Sequence, residues 1–241
     1  MPLFIFILFV ALLPVGVLLY YIFRKDKYQQ EPPGQMLRAF CYGIAAAFLS
    51  LVLTTPFAAT ALDSMQELSV WGAITKAFCL AAIPEETAKL IMLWLFLRKC
   101  LYFDEHMDGI VYAVSVSMGF AALENILYLF GNYQDFLSVG ITRALFAIPG
   151  HFFFGVLMGY YYSLAKFANE SNQTYWILTI VAPVLAHGCY DSLVFLMQVA
   201  PSLSVILTFV FLIFCHYLRK YCSQKIEEHL ERDRMQAFID S

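Results

Sequence analysis

Residues 70–97 read VWGAITKAFCLAAIPEETAKLIMLWLFL, long and apolar enough to cross a bilayer yet carrying Lys76, Glu85, Glu86 and Lys89. A helical span needs about 20 apolar residues. A charge near the bilayer centre costs roughly 2.5–3.5 kcal/mol on insertion scales, so ionisable groups at that depth usually face a cavity and serve function. Composition decides how this stretch is read. The 241-residue chain is 61% hydrophobic and 14% charged, against about 45–50% and 25% for a soluble domain. So few charges cannot cover a water-facing surface, and 23 Phe with 15 Tyr exclude disorder. A net charge of −3 leaves no basic footprint for nucleic acid. The chain reads as an all-α, multi-pass protein of the cell membrane whose solvent is the lipid bilayer.

Seven stretches approach or exceed a bilayer-spanning length, near 3–23, 36–58, 70–97, 108–131, 141–165, 174–198 and 202–218. The first has no basic leading region and no A-x-A cleavage site, so it reads as a helix and not a signal peptide. With alternate connections cytoplasmic, 12 of the 15 Lys and Arg fall on one side: Arg24, Lys25, Lys27, Arg38, Arg98, Lys99, Lys166 and five in the tail. The opposite connections, around Asp63 and Glu67, around 132–135 and at Pro201, carry none. The positive-inside rule then places the N-terminus outside and the C-terminus in the cytoplasm. Residues 1–222 form one membrane domain with a core at about 35–200, and residues 223–241 a short cytoplasmic tail that reads as a solvated helix. The six cysteines form no CxxC pair and read as small apolar residues.

Glu85 and Glu86 lie about 15 residues into their segment, or roughly 22 Å at ~1.5 Å per residue. His187 lies about 13 residues into its segment and His151 about 10, while Glu124, with Asn125, lies roughly 10 Å down its own. Four helices thus carry polar groups to compatible depths. Glu85 and Lys89 stand at i, i+4 and can neutralise each other, whereas Glu86 points about 100° away and needs another partner. His187 and Asp191 repeat the i, i+4 spacing, which lets the carboxylate orient the imidazole. Gly155 and Gly159 make a small-residue face for close helix approach. Pro84, the one proline counted beside the charged cluster, opens the helix locally. Two carboxylates and two imidazoles suit activation of water, and they are also zinc ligands. No HExxH, GxGD or GxSG is present.

Glu85-Glu86-Thr87-Ala88-Lys89 reads EExxK; Phe120 to Asn125 reads FxxxEN, preceded by Asp108-Gly109 and Tyr112; Arg143, His151 with Gly155, and His187-Gly188-Cys189-Tyr190-Asp191 (HGxYD) follow. In this order the motifs resemble the PrsW intramembrane proteases, relatives of the CAAX-processing endopeptidase superfamily. The resemblance implies a polytopic endopeptidase acting on a membrane-anchored protein, as its founding members do on an anti-sigma factor. Carried over, it makes Glu85, Glu86, His151 and His187 catalytic and has Asp191 orient His187. Glu124 and Asn125 line the cavity, with Lys89 and Arg143 as further orienting groups. The histidine–carboxylate set permits a zinc ion on Glu86, His151 and His187, or a metal-free, glutamate-activated water. A different class, a proton-coupled or small-solute transporter, uses buried Glu and His equally naturally but predicts inverted repeats and paired broken helices, and no internal repeat is found. A third, a non-catalytic scaffold binding other transmembrane helices, tolerates Glu86→Gln.

Overall fold

A computed structural model describes residues 2–65, 69–168 and 172–239. Among them it is all helix: α1 (Pro2–Lys25), α2 (Pro33–Met65), α3 (Val70–Thr75), α4 (Ile83–Leu97), α5 (His106–Gly131), α6 (Phe136–Thr142), α7 (Ile148–Lys166), α8 (Gln173–Val199) and α9 (Ser204–Ile239). Six helical stretches are long and apolar enough to cross a membrane. The expected span at 70–97 is not among the six because Glu85, Glu86 and Lys89 interrupt its apolar run. Its backbone is nevertheless helical from Val70 to Leu97, and it packs between α2 and α8. The connection expected around Asp63 and Glu67 lies partly outside the described residues: α2 runs through Asp63, and Glu67 is not described.

Two of these paths share one interruption. Wide π-turns occupy Lys76–Ala82 and Arg143–Ala147, and each is followed by Ile-Pro at the start of the next helix. Proline lacks the amide proton and its ring clashes with the carbonyl four residues back. The chain answers by slipping one residue in register, so Ile83 N–H reaches Phe78 O and Ile148 N–H reaches Arg143 O. Such π-turns concentrate at functional sites. Pro84 is therefore not the one proline beside the cluster. Pro149 stands two residues before His151 as Pro84 stands before Glu85 and Glu86, and Ala-Ile-Pro recurs at 82–84 and 147–149.

Helix α5 is central, buried from Met107 to Ala122, and touches α1, α2, α4, α7 and α9. Glycine sets how closely its neighbours approach. A Cβ on Gly159 of α7 would lie 2.3 Å from Gly109 O of α5, and one on Gly188 of α8 would lie 2.2 Å from the Phe78 ring. At Gly159 the obstacle is backbone, so any side chain there would push α7 from α5, whereas at Gly188 the Phe78 ring would have to move. The outer faces of α1, α2, α8 and α9 expose Phe, Leu, Ile and Val in rows, the surface a lipid environment requires.

The tail departs from the solvated helix expected of it. α9 runs unbroken past Cys222, and Ile226, His229, Leu230 and Asp233, at i, i+3, i+4 and i+7 on one face, are buried. Asp233 accepts the backbone amides of His106 and Met107 at 2.8 Å each, which caps the positive N-terminal end of α5.

Candidate active site

The membrane-buried polar groups converge. Glu86, fully buried on α4, has two partners on one oxygen: Lys89 Nζ donates to Glu86 Oε1 at 2.7 Å and His187 Nδ1 donates to it at 2.9 Å. Lys89 is also fully buried; it lies 3.1 Å from His151 Nδ1 and 4.2 Å from the centre of the Phe120 ring. The i, i+4 neutralisation of Glu85 is thus not the short contact, since Glu85 Oε2 stands 3.8 Å from Lys89 Nζ. Lys89 leans back by i+3 to the carboxylate that points into the protein.

The ammonium has only donors, so His151 Nδ1 must accept. Its proton is then on Nε2, which donates to Glu124 Oε2 at 2.9 Å. Arg143, on the second π-turn, donates to the same Glu124 oxygen and to Asn125 Oδ1, both at 2.7 Å, and lies 4.0 Å over the Tyr128 ring. Asn125 in turn donates to Ala11 O of α1 at 2.8 Å. His187 faces carboxylates with both nitrogens, Glu86 through Nδ1 and Asp191 through Nε2 at 3.4 Å. Its ring stacks on Phe154 at 4.6 Å, and the two imidazoles stand 5.5 Å apart and nearly perpendicular.

All nine residues expected at the site belong to this one network, but they do not stand alike towards the open space. A cavity of about 530 Å³ is lined by Glu85, Glu124, Arg143, His151, His187 and Asp191, within the usual ~300–1,000 Å³ of small-ligand sites. Glu86 and Lys89 do not line it. Oε2 of Glu85 and Oε2 of Glu86 have no hydrogen-bond partner among the described residues. Tyr128, Phe146, Phe154 and Phe211 were not singled out from the sequence, and only the Ala-Ile-Pro recurrence offered a signal near any of them.

Comparison with known proteins supplies the family. A family model described as PrsW family intramembrane metalloprotease matches residues 31–217. The chain belongs to the PrsW family. Among curated proteins it is 38% identical to Protease PrsW of Geobacillus kaustophilus over 74% of this chain and 75% of that one. It is 38% identical to Protease PrsW of Bacillus subtilis over 74% and 78% of the two chains. With Protease PrsW of Clostridioides difficile the identity is 31% over 95% and 93%. No solved structure matches. Family membership makes the chain an intramembrane protease, a multi-pass membrane enzyme with a membrane-protein substrate. The transporter and scaffold readings yield to it, although two proline-broken helices do meet at the site.

The metal in the family's description can be tested against these side chains. Carboxylate and imidazole are zinc donors, yet among the described residues no three His, Cys, Asp or Glu groups converge as ligands do. Of the expected set Glu86, His151 and His187, the first two are joined by the Lys89 ammonium. A cation already stands where they would share one. In this arrangement the residues do not fit a zinc site.

Proposed function

We propose that the enzyme hydrolyses a peptide bond of a membrane-anchored protein with a water activated by Glu85, and that Glu86, Lys89 and His151 hold the surrounding groups in place. The observation that carries this reading is the split between the paired glutamates. Glu85 lines the cavity and has no cation or imidazole within hydrogen-bond distance, while Glu86 does not line it and is held by Lys89 and His187. A general base must reach the water it deprotonates, and Glu85 is the carboxylate in the cavity that no cation or imidazole holds at hydrogen-bond distance.

In the step this supports, a water oxygen bonds to the scissile carbonyl carbon as its proton passes to Glu85. His187 lies between two carboxylates, an arrangement satisfied when both nitrogens carry protons. Its 3.4 Å contact with Asp191 is longer than its 2.9 Å bond to Glu86, so Nε2–H is the donor free to turn to the developing oxyanion. Glu85 then returns the proton to the leaving nitrogen as the C–N bond breaks. No step passes through a metal. A substrate of the anti-sigma-factor kind, single-span and cut beside its membrane helix, suits the site, because an intact helix keeps its carbonyls hydrogen-bonded and out of reach.

The test is the purified full-length enzyme in liposomes with a single-span substrate. Glu85→Gln keeps the shape and removes the base, and cleavage is expected to fall by about 10²–10⁴-fold. A rate within twofold of wild type overturns the assignment. A parallel arm with a chelator is expected to leave turnover unchanged, since Lys89 supplies the cation at Glu86 and His151.

A further inference from the structure

The cavity extends well beyond the Glu–His cluster. Its α8 wall continues from His187 and Asp191 through Val194 to Gln198, at i, i+4, i+7 and i+11 on one face of the helix. Eleven residues of helix measure about 16 Å. The opposite wall is Phe146 of the second π-turn with Thr208, Phe211 and Leu212 of α9. Phe211 is buried, its ring 4.9 Å from Tyr190 and 5.5 Å from Phe146, so three aromatic rings narrow the passage beside the catalytic groups. Beyond Asp191 this arm is lined without an ionisable side chain, and it ends at Gln198 and Thr208 near the α8–α9 connection, on the side where connections lack lysine and arginine.

Resting on the proteolytic reading above, we propose that this arm is the substrate subsite and takes about five residues in extended conformation, uncharged and apolar at the three farthest from the catalytic groups. Phe146, Val194 and Phe211 set the side-chain size accepted next to the scissile bond. The length follows from about 3.3 Å per extended residue over the 16 Å arm. Extension follows from the chemistry, because the arm opens directly onto Glu85 and His187 and attack needs a carbonyl no helix occupies. The apolar preference holds for the part beyond Asp191, about 10 Å or three extended residues, where a charge loses its water and meets no ionisable lining group.

The experiment compares wild type, Val194→Trp and Phe211→Ala in liposomes on a single-span substrate with Ala, Phe or Asp at each of the five positions on the arm side of the cleavage point. Asp at any of the three positions farthest from the cleavage point is expected to lower kcat/KM at least tenfold. Val194→Trp is expected to lower cleavage of the Phe substrates tenfold while the Ala substrates stay within threefold, and Phe211→Ala to shift the Phe-to-Ala ratio upward by a similar factor. Unchanged ratios in both variants overturn the subsite. A second measurement does not depend on turnover: benzoylphenylalanine at Leu212 in the Glu85→Gln background is expected to crosslink substrate within five residues of the cleavage point, and at lipid-facing Leu127 it is not. Crosslinks equal at both positions also overturn the subsite. If Glu85→Gln itself cleaves at the wild-type rate, it is the catalytic assignment that fails; if it is inactive while the ratios stay flat, only the arm does.

Discussion

Two polar clusters lie on α5, about 24 Å apart by the rise of the helix between Asp108 and Glu124, and they are built on opposite principles. The membrane-embedded one mixes signs: Lys89 and Arg143 each hold a carboxylate, two imidazoles bridge between helices, and a cavity opens onto them. The one at the lysine-rich end holds acids without a strong cation. Asp26, Glu31, Asp108 and Asp233 are all at most 3% exposed, and no Lys or Arg pairs with any of them among the described residues. Tyr112 donates to Glu31, Glu31 N–H to Asp26, and the amides of 104 and 105 to Asp108. Backbone amides and a phenol suffice there because nothing has to react. The Asp108-Gly109 and Tyr112 signature thus ties the α1–α2 connection to the start of α5, and mixed charge with an open cavity is what separates the chemistry from the fastening.

Substitutions should separate the two clusters. The largest effect is expected from Glu86→Gln, which removes the anion between Lys89 and His187. Cleavage should fall by two orders of magnitude or more although Glu86 does not line the cavity, and a rate above half of wild type would show that the network does not act as a unit. Lys89→Ala leaves Glu86 and His151 without their shared cation. Breaking a buried pair costs about 3–5 kcal/mol, so the melting temperature in detergent should drop by several degrees and turnover per folded molecule should fall by up to about a hundredfold. Asp191→Asn should spare folding and lower turnover about tenfold through a less well-oriented His187, and full activity would reduce Asp191 to a wall of the cavity. At the other cluster, Asp233→Ala removes the cap on α5. It should cost about 1–2 kcal/mol of stability, with turnover per folded molecule unchanged.

The smallest expected effect is a pH dependence confined to the acid cluster. Burial foremost raises Asp26 to about 6, against a smaller lowering by the Glu31 amide. Burial also raises Glu31 to about 7, opposed by the Tyr112 hydrogen bond, and raises Glu105 to about 7 with help from neighbouring carboxylates. The folded state then binds more protons than the unfolded one between the ordinary carboxylate range and pH 7. This contribution is present at low pH and is lost as pH rises through 6–7. Amide protection relative to the intrinsic, base-catalysed exchange rate should fall at 26–31 and at the start of α5 between pH 5.5 and 8, and Glu31→Gln should flatten that fall. An equal loss of protection around Glu85 would mean that the two clusters are not separate.

Sequence alone carried the membrane class and the order of the motifs, because hydrophobic length and helical rise are local quantities. It also carried the i, i+4 contact of His187 with Asp191, which one helix makes by itself. Other pairings needed the folded chain. Spacing says which face of α4 carries Glu85 and which carries Glu86, but not that α8 closes over Glu86 with His187 while Glu85 is left facing the cavity. Nor could it choose between i+3 and i+4 for Lys89, since that choice is made by His151 arriving from α7. The π-turns needed long-range packing to hold the register slip that Ile-Pro starts. Asp233 looked like one more charge on a solvated tail until α9 brought it 127 residues back along the chain to the amide of His106. Local rules place a side chain on its own helix; only tertiary packing decides which partner from another helix satisfies it, and so which carboxylate is left free to act.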